Sequence, residues 1–93
     1  MELQNEPLIQ DFMKQHQNSR EPLKRWTETV KLANWKSIVD VKRTFPSADY
    51  VKPYVVFNIA GNKFRLVAVV SFTTGVMTVG KIMTHETYSR WKP

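Results

Sequence analysis

Ninety-three residues without a single cysteine suffice for one domain spanning the chain and for a buried core. They exclude a disulfide framework, a cysteine nucleophile and a thiolate metal site. Fourteen Lys+Arg against eight Asp+Glu give a formal charge of +6, which favours polyanionic partners (RNA, DNA, the ribosome) or an acidic protein.

The opening Met-Glu-Leu-Gln-Asn-Glu-Pro has neither a basic nor an apolar leader segment, and no apolar run approaches the roughly 20 residues of a membrane span. The expectation is a soluble, cytoplasmic protein with no membrane association. Asn5-Glu6-Pro7 resembles a capped helix start, and Leu8, Ile9, Phe12, Met13 and His16 recur at helical spacing. A first helix is expected from about Glu6 to Gln17, with His16 half-buried in its apolar stripe. After a break at Asn18–Pro22, Leu23, Trp26, Val30 and Ala33 mark a second helix from about Pro22 to Asn34. Ser37 is the expected cap of a short third helix with Asp40 in its first turn, ending near Phe45 because Pro46 disfavours a helical predecessor. A loop over Ser47–Pro53 follows.

The stretch Tyr54–Phe72 reads as a β-hairpin, two runs of β-branched and aromatic residues about Gly61-Asn62, a dipeptide able to supply positive φ angles. Pairing Ala60 with Lys63 puts Val55, Phe57, Ile59, Phe64, Leu66, Ala68, Val70 and Phe72 on one face, to be buried. The other face carries Tyr54, Val56, Asn58, Lys63, Arg65, Val67, Val69 and Ser71, with Arg65 opposite Asn58. A turn at Thr73-Thr74-Gly75 leads to a third strand, Val76–Met83, and Thr84 caps a last short helix bearing His85, Tyr88 and Trp91. The expected class is α+β, amino-terminal helices packed on one face of a small antiparallel sheet, a short carboxy-terminal helix, and the sheet's other face open under Arg65.

His85-Glu86-Thr87-Tyr88-Ser89 begins like a zinc-protease helix but has Ser89 where the second histidine must stand. No metal site or cofactor is expected. A serine triad lacks its surroundings, and three scattered glycines form no phosphate loop. What remains, a basic face with a histidine and a tyrosine at the end of the last strand, suits RNA phosphodiester cleavage by the adjacent 2′-hydroxyl. That reaction needs an acid, a base and positive charge on the crowded phosphorus. Arginine fits the last task because its planar fork stays charged and matches phosphate. A non-catalytic RNA- or ribosome-binding module and a module binding an acidic partner protein remain alternatives.

Phe45-Pro46-Ser47-Ala48-Asp49, Val56–Leu66 and Thr84-His85-Glu86-Thr87-Tyr88, three motifs in order between Trp35 and Trp91, together resemble the HigB toxins of bacterial type II toxin–antitoxin systems. The resemblance implies a RelE-like fold and metal-independent cleavage of mRNA on the ribosome. It also implies neutralisation by a HigA-like antitoxin with a helix-turn-helix domain, DNA being contacted only through that complex. It assigns catalysis to Arg65, flanked by Lys63, and to His85 and Tyr88, leaving open which of the last two is acid or base; Lys63, with Asn58 opposite Arg65 and Lys81 beside Gly80, is expected to bind substrate. The family commonly has a lysine or arginine four residues ahead of the threonine, where this chain has Gly80, which implies weakened activity. The family pattern favours a two-residue turn at Thr74-Gly75. That register pairs Val69 with Gly80 on the Arg65 face and turns Lys81, with Met77, Val79 and Met83, toward the helices. A three-residue loop would exchange those faces.

Overall fold

The computed structural model describes residues 1–91. Its elements are β1 (Glu2–Gln4), α1 (Glu6–Gln15), α2 (Arg20–Leu32), α3 (Ile38–Thr44), β2 (Asp49–Val51), β3 (Tyr54–Ile59), β4 (Phe64–Ser71), β5 (Val76–Thr84) and α4 (His85–Arg90). The strands form one sheet in the order β1-β5-β4-β3-β2. Every neighbouring pair is antiparallel except β1 with β5. The architecture is the expected α+β one, with two short edge strands, β1 and β2, added to the three foreseen.

Apolar periodicity explains how the helices meet the sheet. Ile9 of α1, Leu23, Trp26 and Val30 of α2, and Val41 of α3 are buried in one cluster with Val55, Phe57, Ile59, Phe64, Leu66, Ala68, Met77 and Val79. The strand residues of that cluster are those on the face that alternation assigns to the core. Each large side chain so buried stabilises the fold by roughly 1.5–3 kcal/mol before conformational entropy is set against it. His16 is half-buried as expected, stacked on Phe12 at 4.3 Å between ring centroids and edge-on to Phe64 at 5.5 Å.

The helix ends depart from expectation. Asn5 has a left-handed backbone (φ 68°) and makes no side-chain cap; instead its amide donates to the Val79 carbonyl at 2.7 Å, tying the entry of α1 to β5. The second helix begins at Arg20 rather than Pro22, because proline in the first turn removes an N–H that has no intrahelical partner anyway. Ser37 makes no side-chain cap; the Asp40 carboxylate instead accepts the Lys36 N–H at 2.8 Å. Proline does stop the helix where expected, since α3 ends at Thr44.

The first hairpin has the expected register, with Ile59 opposite Phe64 and Asn58 opposite Arg65. Its positive φ angles fall on Ala60 (54°) and Gly61 (66°), not on Gly61 and Asn62. The second hairpin departs further. Ser71 pairs with Val76, so Phe72–Gly75 is a four-residue connection, with Gly75 at φ 72°. Pairing runs on through Ala68 opposite Val79, and then Val67 faces Lys81. Gly80 is therefore the extra residue of a β-bulge, a common role for glycine inside a strand. Before the bulge, Met77 and Val79 point to the helices as expected. Beyond it the faces exchange, and Lys81 and Met83 share the side of Val67 and Arg65, which corrects the expectation that both turn toward the helices.

Candidate active site

The face opposite the helices is not open over its whole length. Val56, Val67 and Met83 are buried there as a second small core, with Tyr54, Tyr88 and Trp91 packed against it. The Gly80 bulge turns Met83 to this side, and α4 is folded over it. Trp91 lies 5.7 Å edge-on from Tyr54 and 6.1 Å from Tyr88.

Arg65 is consequently buried, at 7% relative exposure, rather than solvated as its strand position had implied. One terminal nitrogen of its guanidinium donates to the carbonyls of Asn62 (3.2 Å) and Phe64 (3.0 Å). The other donates to Asn62 Oδ1 at 3.1 Å and lies 3.3 Å from His85 Nδ1. Its central carbon stands 5.4 Å from the centroid of the Tyr88 ring, within the range of a cation–π contact. Among the described residues its hydrogen-bond partners are neutral oxygens and an imidazole, and no Asp or Glu pairs with it. Neutral acceptors hold the guanidinium without cancelling its charge. The low-dielectric surroundings strengthen its attraction for an arriving anion.

His85 is set in place from both sides. Its backbone N–H donates to the Lys63 carbonyl at 2.9 Å, fastening the start of α4 to the tip of the first hairpin. Thr84 caps the helix as expected, its Oγ1 accepting the Thr87 N–H at 3.2 Å. A guanidinium can only donate, so its contact with Nδ1 assigns that nitrogen the acceptor role and puts the proton of the neutral ring on Nε2. His85 is exposed, and this tautomer makes Nε2–H a donor for a ligand. Tyr88, three residues on, falls on the same side of the helix and is half-buried beside Arg65.

The structure thus brings Arg65, His85 and Tyr88 together. Asn58 is opposite Arg65 in the ladder and half-buried. Lys63 and Lys81 are exposed at the margins, Lys63 at the hairpin tip and Lys81 opposite Val67. Asn62 was read only as a turn residue, yet its carbonyl and its side chain both hold the guanidinium. Its position three residues before a strand arginine was the available signal. Among the described residues no cluster of three or more His, Cys, Asp and Glu is gathered as for a metal, and no helix is long and apolar enough to cross a membrane.

Residues 19–91 match the family described as HigB_toxin, the RelE-like toxic component of a toxin–antitoxin system. The chain is 29% identical over 91 residues, 95% of its length and 88% of the relative's, to the mRNA interferase toxin HigB of Escherichia coli K12. It has the same identity and coverage to the mRNA interferases HigB of Escherichia coli O157:H7 and Shigella flexneri. The family match spans the hairpin that carries Arg65 and the helix that carries His85 and Tyr88, and with the sheet and helices described above it establishes that this chain belongs to the HigB family of RelE-like toxins.

Proposed function

We propose that this toxin is an endoribonuclease that cuts mRNA on the translating ribosome by metal-independent attack of a 2′-hydroxyl on the adjacent phosphate, acting in the cytoplasm as one domain. The relatives' designation as mRNA interferases supports the substrate. The observation that carries the chemistry is a buried arginine that no carboxylate pairs with among the described residues, touching an exposed histidine through its Nδ1.

As the 2′-oxygen attacks, negative charge builds on the phosphate oxygens, and Arg65 opposes it from a position already fixed by Asn62. Preorganisation of this kind lowers the barrier because nothing has to reorient during reaction. The terminal nitrogens of Arg65 already hold protein acceptors, so Arg65 acts chiefly as a positioned charge rather than as a free two-pronged clamp. The neutral His85 ring keeps its proton and gives a hydrogen bond from Nε2–H to the leaving 5′-oxygen, which takes its proton from water, while the 2′-hydroxyl proton leaves by way of the Tyr88 hydroxyl to solvent. Lys63, Asn58 and Lys81 bind the flanking substrate. A toxin of this family implies an antitoxin partner; we propose a HigA-like protein with a helix-turn-helix domain, through which alone the complex reaches DNA.

Primer-extension mapping in a translating extract tests this reading. Cleavage is expected only where ribosomes translate the message. Rapid cutting of naked RNA that needs magnesium and stops with a chelator would overturn it.

The bulge at Gly80 leads to a second expectation. Lys81 stands on the Arg65 face, so it supplies the cation that Gly80 does not. Lys81→Ala is expected to slow cleavage by roughly threefold to tenfold, the effect of losing one exposed phosphate contact. Gly80→Arg is expected to change it less, although a Cβ at Gly80 would meet its nearest atom, the Val67 carbonyl oxygen, at a tolerable 3.4 Å. Rates measured for both variants in the same extract check this, and a gain in Gly80→Arg with none lost in Lys81→Ala would contradict it.

A further inference from the structure

Strand β2 begins at Asp49, opposite Val56, so the outer edge of β3 runs on through Phe57–Ile59 with no strand paired to it among the described residues. Two hollows flank that length of chain. One, about 380 Å3, is walled by Arg25, Trp26, Phe45 and Asn58. The other, about 440 Å3, is walled by Ser47, Asn58, Gly61 and Asn62. Asn58 and Gly61 belong to both, and each volume falls within the range of small-ligand sites.

We infer that this pair of hollows is a nucleotide subsite, which seats an unstacked base of the RNA next to the phosphate held at Arg65. The inference rests on the nuclease reading above and adds to it the place where sequence is read. Continuity with the candidate site is direct, since Asn62 holds the Arg65 guanidinium and Asn58 pairs with Arg65 across the ladder. The lining has the mixture that an unstacked base requires: the half-buried Phe45 ring, neutral donors and acceptors at Ser47, Asn58 and Asn62, and a cation at Arg25 for a neighbouring phosphate.

The test uses a hexanucleotide of 2′-O-methyl RNA, which cannot be cleaved because its 2′-oxygens are blocked. Nitrogen–proton correlation spectra of the full chain are recorded during titration, with the resonances of Ser47, Asn58 and the Trp26 indole followed beside that of His85. The expected result is that all four move together and saturate at one RNA concentration. Asn58→Ala and Ser47→Ala are then expected to weaken binding roughly threefold to tenfold, and to change the relative use of cleavage sites on one mRNA in a translating extract. Shifts confined to His85 and the lysines, or no shifts at all, would overturn the subsite. A uniform fall at every cleavage site would do so too. Failure of the nuclease reading would look different, as an intact mRNA in an extract containing the unmodified protein.

Discussion

Arg65→Ala is expected to lower mRNA cleavage by roughly a hundredfold or more, the usual consequence of deleting a preorganised charge at a developing oxyanion. In this protein the loss is compounded, because the same guanidinium holds the Asn62 loop and contacts His85 Nδ1. Arg65→Lys separates the two contributions. Lysine restores a positive charge but cannot span Asn62, Phe64 and His85 with one planar group, so it is expected to recover only a small part of the rate. The side chain is buried, so its removal also touches stability. The cost is expected to be modest, since a buried unpaired charge is itself expensive and alanine removes it. Thermal unfolding followed alongside the cleavage assay distinguishes chemistry from collapse. A variant that melts like the unmodified protein and cleaves at its rate would make Arg65 a bystander.

His85→Ala is expected to cost about a hundredfold to a thousandfold, the range for losing a positioned hydrogen-bond donor to a developing oxyanion. The geometry makes a finer distinction available. Arg65 occupies Nδ1, so the work falls to Nε2. His85→Gln carries its amide to about the reach of Nε2, whereas His85→Asn reaches only about as far as Nδ1. Gln is therefore expected to retain more substrate affinity, and more of the cleavage rate, than Asn. The measurement is single-turnover cleavage on stalled ribosome complexes, which separates binding from chemistry. Equal rates for His85→Ala and the unmodified protein would remove the histidine from the mechanism.

Much of this site was legible before any coordinates. The alternation of β-branched and aromatic residues through Tyr54–Phe72 fixed which side chains face the helices, and with it the Asn58 to Arg65 pairing. The cap at Thr84 was legible because a threonine three residues before Thr87 matches the chemistry of a helix start. The misses have physical causes. Strands of three residues such as Glu2–Gln4 and Asp49–Val51 are too short to show alternation, and their pairing is decided by neighbours distant in sequence. The bulge reversed the face of every residue after Gly80, and the signal for it was the glycine itself, inside a strand where glycine is otherwise unfavourable. Once Met83 was assigned to the helical side, nothing remained to draw α4 over the sheet, and Arg65 was read as solvated. A parity change of one residue thus decided both the burial of Arg65 and the side on which Lys81 stands.

The chemistry of the cut ends tests the central claim most directly. Attack by the 2′-hydroxyl leaves a 2′,3′-cyclic phosphate, or the 3′-phosphate from its opening, on the upstream fragment and a 5′-hydroxyl on the downstream one. Fragments made by the unmodified protein in a translating extract are expected to carry those ends, and the Arg65→Ala protein is expected to make few of them. Fragments ending in a 3′-hydroxyl and a 5′-phosphate would mean that water, not the neighbouring 2′-oxygen, attacked the phosphorus, and would contradict the account.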